Sequence, residues 1–162
     1  MKLSKHISII AEIGSIHDGS FGNALKAIEG AAKAGADVVK FQTHIADAES
    51  LPSAPSPSYF REESRSEYFK RTSFSLEQWV KIANHCSLNN VEFLSSPFSL
   101  EAVDLLEKVG VNSYKIPSGE VTNLPLLEKI TKTAKPVYLS TGMSNWSEID
   151  DAVEVLRSSS KL

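Results

Sequence analysis

The 162-residue sequence predicts an α/β fold built on a parallel sheet. Three observations predict it. Five short apolar runs alternate with helical patterns, and no hairpin signal joins one run to the next. Two of the runs, Asp37-Val38-Val39-Lys40-Phe41-Gln42 and Asn112-Ser113-Tyr114-Lys115-Ile116-Pro117, echo each other: each follows a glycine, Gly35 or Gly110, and each carries one lysine. Polar residues close every run, as they do where a site is assembled from strand ends.

Consecutive strand–helix units imply right-handed crossovers, in either an open doubly wound sheet or a (β/α)8 barrel. No Gly-x-Gly-x-x-Gly follows the first strand, which weakens a dinucleotide-binding sheet. Polar strand ends suit a TIM-barrel type fold, of which about five of eight βα units would be present. Five units do not close a barrel, so the chain is expected either to be the N-terminal part of a longer protein or to complete itself by association.

The first strand is expected over residues 7–14, ending at Glu12-Ile13-Gly14. A polar turn, Ser15 to Ser20, leads to a helix with Leu25, Ile28, Ala31 and Ala32 on one face, stopped by Gly35. The second strand is Val38 to Thr43. Residues 44–73 then carry Pro52, Pro55 and Pro57, followed by Tyr59, Phe60, Tyr68 and Phe69. An excursion of that length is expected to be a functional lid or a surface loop with a short helix around 62–70. Ser75-Leu76-Glu77-Gln78 is a capping box, and Leu76, Trp79, Val80, Ala83 and Cys86 form the stripe of the helix it starts. Strand three is expected over 91–95, a helix over 100–109 stopped by Gly110, and strand four over 113–116. Thr122 or Asn123 caps a helix to about residue 133, with Pro125 in its first turn. Strand five over 136–140 runs into Thr141-Gly142-Met143, and a last helix covers about 145–158.

Composition narrows the function classes. A net charge of -3 and 20 acidic against 17 basic residues argue against a nucleic-acid partner. One cysteine, Cys86, excludes a disulfide framework and zinc-finger spacing and fits a reducing compartment. No run reaches the ~20 apolar residues of a membrane span, and Glu12 interrupts the one N-terminal stretch with a faint signal-peptide character. The expectation is a soluble, cytoplasmic protein with no membrane partner.

The strand ends offer Glu12; Lys40 and Gln42; Ser95 and Ser96; Lys115, Ser118 and Glu120; Ser140 and Thr141. In a barrel, alternate strands feed one interior layer, which puts Lys40 and Lys115 at similar height. Two ammonium groups facing one cavity repel unless an anion lies between them. A phosphate or carboxylate is the fitting guest, with hydroxyls and helix N-terminal amides around it. Glu12 and Glu120 could orient the lysines, bind hydroxyls or act as a base. His6, His44 and His85 lack metal-ligand spacing and are expected at the surface, His17 is expected to serve the first turn, and Cys86 to pack in the core.

At these residues the chain resembles the N-acetylneuraminate (sialic acid) synthase family. The resemblance rests on Ala11-Glu12-Ile13-Gly14, His17-Asp18-Gly19, Gly35 to Gln42, Phe93-Leu94-Ser95-Ser96-Pro97-Phe98, Lys115 to Glu120, and Leu139-Ser140-Thr141-Gly142-Met143, in the family's order. It implies a (β/α)8 enzyme that condenses phosphoenolpyruvate with an N-acetylated amino sugar such as N-acetylmannosamine and releases phosphate. By similarity, Lys40, Gln42, Ser96, Lys115, Ser118 and Ser140 would hold phosphoenolpyruvate. Glu120 would contact the sugar and handle protons, and Glu12 would organise the floor of the site. The resemblance also implies a divalent metal, Mn2+ or Mg2+, whose ligands lie outside residues 1–162, together with an absent C-terminal antifreeze-like domain and a homo-oligomer. Ser15-Ile16-His17 and Pro117 depart from the family's common pattern and leave open which nonulosonic acid is made. Two other readings stand beside this one: a lysine Schiff-base pyruvate aldolase, and a non-catalytic, anion-binding partial barrel that self-associates through its open edges.

Overall fold

The computed structural model describes residues 7–51, 53–55 and 63–158. Five strands, β1 (Ile10–Gly14), β2 (Val38–Thr43), β3 (Glu92–Pro97), β4 (Tyr114–Ile116) and β5 (Val137–Leu139), form one sheet in the order β1-β2-β3-β4-β5, with every pair parallel. A doubly wound sheet reverses its strand order at a switch point; this one never reverses, which is the topology of a barrel segment.

The described residues also form seven α-helices: α1 (Phe21–Lys33), α2 (Ala46–Glu49), α3 (Arg65–Thr72), α4 (Leu76–Leu88), α5 (Leu100–Val109), α6 (Leu124–Thr131) and α7 (Trp146–Arg157). Their starts follow local chemistry. Ser64, Ser75 and Asn145 each close a capping box with Glu67, Gln78 and Glu148. Asn123 caps α6, with Pro125 near its N-terminus where a missing N–H costs nothing. None of the described helices is long and apolar enough to cross a membrane.

Strand alternation sorts side chains onto two faces. Val39, Phe41, Phe93, Tyr114 and Ile116 point to the helices and join Ile28, Trp79, Ile82, Leu106, Leu126 and Ile130 in the core. Phe41 meets Trp79 edge-on at 5.9 Å. Thr43 and Ser95 share that face and satisfy each other with a 2.7 Å hydroxyl–hydroxyl hydrogen bond. The other face carries Glu12, Lys40, Gln42, Leu94, Ser96 and Lys115, which lie opposite one another in the strand register.

The expected elements differ from the structure mainly at their edges. Strands one, four and five are shorter at their starts, and strand three runs through Pro97 rather than stopping at Ser95. The excursion contains α2, which the sequence reading did not place, and its short helix is shifted to Arg65–Thr72. Tyr59 and Phe60 lie outside the described residues, as does His6.

Candidate functional site

The candidate site lies at the carboxyl ends of the strands. Lys40 leaves β2 with only 10% of its side chain exposed, and such burial of an ammonium requires partners. It has two. Nζ lies 2.7 Å from Glu12 Oε2 on β1 and donates to Ser96 Oγ on β3 at 3.3 Å. A register shift between Glu12 and Gly14 leaves one residue of β1 unpaired, and Gly14 has a positive φ of 54°. A β-carbon at Gly14 would stand 3.1 Å from Glu12 Oε1, a tight contact, and 3.4 Å from Gln42 Nε2, so the glycine gives the Glu12 carboxylate its room.

Lys115 enters from β4. Lys40 lies opposite Leu94 and Ser95 opposite Tyr114, so Lys115 is two residues further along than the position level with Lys40 in the sheet. A closed eight-stranded barrel staggers its strands by about one residue per strand, the same offset over two strands. The two ammonium groups feel each other. Burial first, and then the charge of Lys40, hold the Lys115 pKa below the ordinary lysine value, with Glu12 partly opposing.

Glu120 ends the 3-10 turn Ser118–Glu120 that follows β4. Burial pushes its carboxyl above the usual carboxylate range and the charge of Glu49 adds to that, against the Asn123 amide and the charges of Arg65 and His44. Asn123 Nδ2 donates to Glu120 Oε2 at 2.8 Å while its Oδ1 caps α6, so one side chain fixes both. Ser118 opens the same turn, and Ser140 follows β5, where its N–H donates to the Ile116 carbonyl at 3.0 Å. The structure thus brings Glu12, Lys40, Gln42 and Ser96 into one cluster, couples Lys115 to it electrostatically, and sets Ser118, Glu120 and Ser140 at the neighbouring strand ends.

Two histidine expectations need correction. His44 is buried, because its ring is stacked between Phe69 at 3.8 Å and Phe98 at 4.0 Å. His85 is half-buried, with Nε2 3.3 Å from Glu29 Oε1. His17 does serve the first turn: Nδ1 accepts the Gly19 N–H at 3.1 Å, the ring packs on Phe74, and burial pushes its pKa down. Cys86 is in the core, its thiol pushed up to about 12 by burial. Glu49 and His44 are the site-adjacent residues that the sequence reading missed. The only available signal was a carboxylate one helical turn beyond a strand-end histidine.

Among the described residues, no group of three or more His, Cys, Asp or Glu side chains could hold a metal ion. The arrangement fits a small, multiply charged anion: two ammonium groups, a carboxamide and hydroxyls converge on one sheet face, beside a carboxyl with a raised pKa.

Comparisons with known proteins agree with this architecture. A relative named N,N'-diacetyllegionaminic acid synthase, from Campylobacter jejuni, is 43% identical over 157 residues, 94% of this chain and 47% of that protein. A Drosophila melanogaster relative named N-acetylneuraminate-9-phosphate synthase is 34% identical, over 99% of this chain and 44% of that one. The crystal structure of N-acetylneuraminic acid (sialic acid) synthetase from Leptospira borgpetersenii superposes with a TM-score of 0.80 at 29% identity, over 94% of this chain and 50% of that one. The chain therefore spans about half the length of the relatives it matches. Residues 27–162 match one family model throughout, and the chain belongs to the NeuB family.

Proposed function

We propose that this chain supplies the phosphoenolpyruvate-binding part of a nonulosonic acid synthase. The observation that carries the reading is the shared field of Lys40 and Lys115 on the inner sheet face, where Glu12 balances part of the charge and a second negative group is needed. The phosphate and carboxylate of phosphoenolpyruvate meet that need. Lys40, Gln42, Ser96, Lys115, Ser118 and Ser140 hold the two anionic groups, and Glu12 orients Lys40.

In the proposed reaction, carbon 3 of the enol attacks the aldehyde carbon of an open-chain N-acetylated amino sugar, such as N-acetylmannosamine. A carbon–carbon bond forms and the aldehyde oxygen takes a proton. Water adds at carbon 2, and the tetrahedral intermediate loses phosphate by carbon–oxygen cleavage. Glu120 contacts the sugar and handles protons, a role in keeping with a carboxyl whose pKa burial raises. The described residues do not form a site for the divalent metal implied by the resemblance. That ion and its ligands are proposed to come from outside them. When bound, such a metal would supply Lewis-acid polarisation of the aldehyde.

Calorimetric titration of the chain with phosphoenolpyruvate tests the reading. Saturable binding that Lys115→Met abolishes is expected, together with little or no turnover when N-acetylmannosamine is added. Absence of binding by the unaltered chain overturns the anion-site assignment, and turnover by it overturns the half-site assignment. The lowered pKa of Lys115 beside another cation also favours the Schiff-base reading. Borohydride trapping of pyruvate on Lys115 would select that reading instead.

A further inference from the structure

The proposed chemistry leaves a buried polar cluster beside the site without a role. His44 follows β2 directly, with 5% of its side chain exposed, and Glu49 at the end of α2 has 2% exposed. The carboxylate of Glu49 grips the ring: Nδ1 lies 3.0 Å from Oε1 and 2.9 Å from Oε2. The other ring nitrogen, Nε2, lies 3.3 Å from Gln42 Oε1. The ring plane is held within 17° of Phe69 on α3 and 21° of Phe98 after β3, and the Ser73 hydroxyl donates to the His44 carbonyl at 3.2 Å. Three separate segments therefore fix this imidazole in position and in rotation.

A carboxamide has a donating end and an accepting end, and an anion is attracted by one and repelled by the other. Gln42 presents Oε1 to His44, and its Nε2 lies on the opposite side, against Gly14 and near Glu12 Oε1. We propose that His44 is a positioning residue for Gln42: clamped between Phe69 and Phe98 and carrying a proton on each ring nitrogen, it donates from Nδ1 to the Glu49 carboxylate and from Nε2 to Gln42 Oε1, and so turns the Gln42 NH2 toward the anion site. Because Phe69 belongs to the excursion, docking of α3 completes the clamp, and the orientation of Gln42 reports that docking. The charged groups that share this field are Glu49 from α2, Glu120 from the turn after β4 and Arg65 from α3.

The ligand in this inference rests on the proposed function; the geometry does not. Two variants of the full chain separate a hydrogen-bonding role from a packing one. His44→Phe keeps the aromatic stack and loses both ring nitrogens. His44→Gln loses the stack and returns an amide donor where Nε2 stood. Phosphoenolpyruvate affinity, titrated calorimetrically, is expected to fall about tenfold in His44→Phe, the effect of one misdirected hydrogen bond, and to be largely restored in His44→Gln. The reverse order, with Phe binding better than Gln, overturns the inference, as does unchanged affinity in both.

The second readout needs no ligand and no variant. In the NMR spectrum of the unaltered chain, the Gln42 side-chain NH2 protons should show a nuclear Overhauser contact to the Gly14 α-protons. A contact to the His44 ring in its place overturns the inference. If the unaltered chain fails to bind phosphoenolpyruvate, the functional reading fails, and this NMR contact still decides the role of His44.

Discussion

Lys40 and Lys115 share one sheet face, yet they stand in different energetic positions. Lys40 has Glu12 and Ser96 as partners, whereas Lys115 is held below its ordinary pKa by burial and by its neighbour's charge. A lysine whose folded pKa is depressed binds its proton less tightly in the folded chain than in the unfolded one. Its cost is present below the folded pKa and is relieved as pH rises toward the unfolded value. Lys115→Met is therefore expected to stabilise the chain at neutral pH and to lose that advantage in alkali, while phosphoenolpyruvate binding disappears; urea unfolding at several pH values checks it. Lys40→Met should instead weaken phosphoenolpyruvate binding by on the order of 30- to 150-fold, the loss of one charge-assisted contact, and leave the Glu12 carboxylate without its partner. Glu120 has the opposite sign from Lys115. Its folded pKa is raised, so the stability it contributes is full below the unfolded carboxyl value and is lost as pH rises through the folded one. Glu120→Gln should flatten that fall, again read by unfolding against pH. The lysines were legible in the sequence because apolar runs with one lysine each are conspicuous. His44 was not, because a histidine after a strand declares nothing about the two phenylalanines, 25 and 54 residues away, that enclose it.

The excursion between β2 and α4 is anchored at both ends. At its start, His44 is stacked under Phe69; at its end, the Arg71 guanidinium donates to the Asp18 carbonyl at 3.1 Å and to the Asp18 and Glu63 carboxylates at 2.6 Å each. The β1–α1 turn receives it closely. Gly19, with a φ of 79°, lies where a β-carbon would overlap the Arg71 carbonyl oxygen. Gly19→Ala should thus meet backbone strain and a backbone clash together, at a cost of about 2–4 kcal/mol in urea unfolding. It should also expose residues 63–73 to protease. If Gly19→Ala left both stability and cleavage unchanged, the docking of α3 on the β1–α1 turn would be wrong. Helices and strands were legible because caps and periodicity are local: the capping box at Ser75, the glycine stop at Gly110 and the apolar run of β2 each act within a few residues. The excursion was legible only as an excursion, since what orders it is the distant surface on which it lands.

At the scale of the molecule, the sheet has two outer edges. β1 and β5 each pair with one neighbour among the described residues, and apolar groups stand exposed along both. Ile9 is 59% exposed at the start of β1, and Tyr138, on the inner face of β5, is 49% exposed. Met143 and Trp146, at the entry to α7, are more exposed still. A barrel closes such edges with further strands, and the Leptospira synthetase, of which this chain covers 50%, has chain to spare for them. The 162-residue chain alone must leave them to water or cover them with another copy, because an open edge offers unpaired N–H and C=O groups to any strand that fits. Self-association that depends on concentration is the expected outcome, read as a sedimentation coefficient that rises with loading. Ile9→Lys places a charge at the β1 edge and should shift the chain toward a monomer without weakening phosphoenolpyruvate binding, since Ile9 lies outside the proposed site. A sedimentation coefficient that stays monomeric at every concentration would show that the edges are protected within the chain itself, and the assembly reading would fall while the anion site stood.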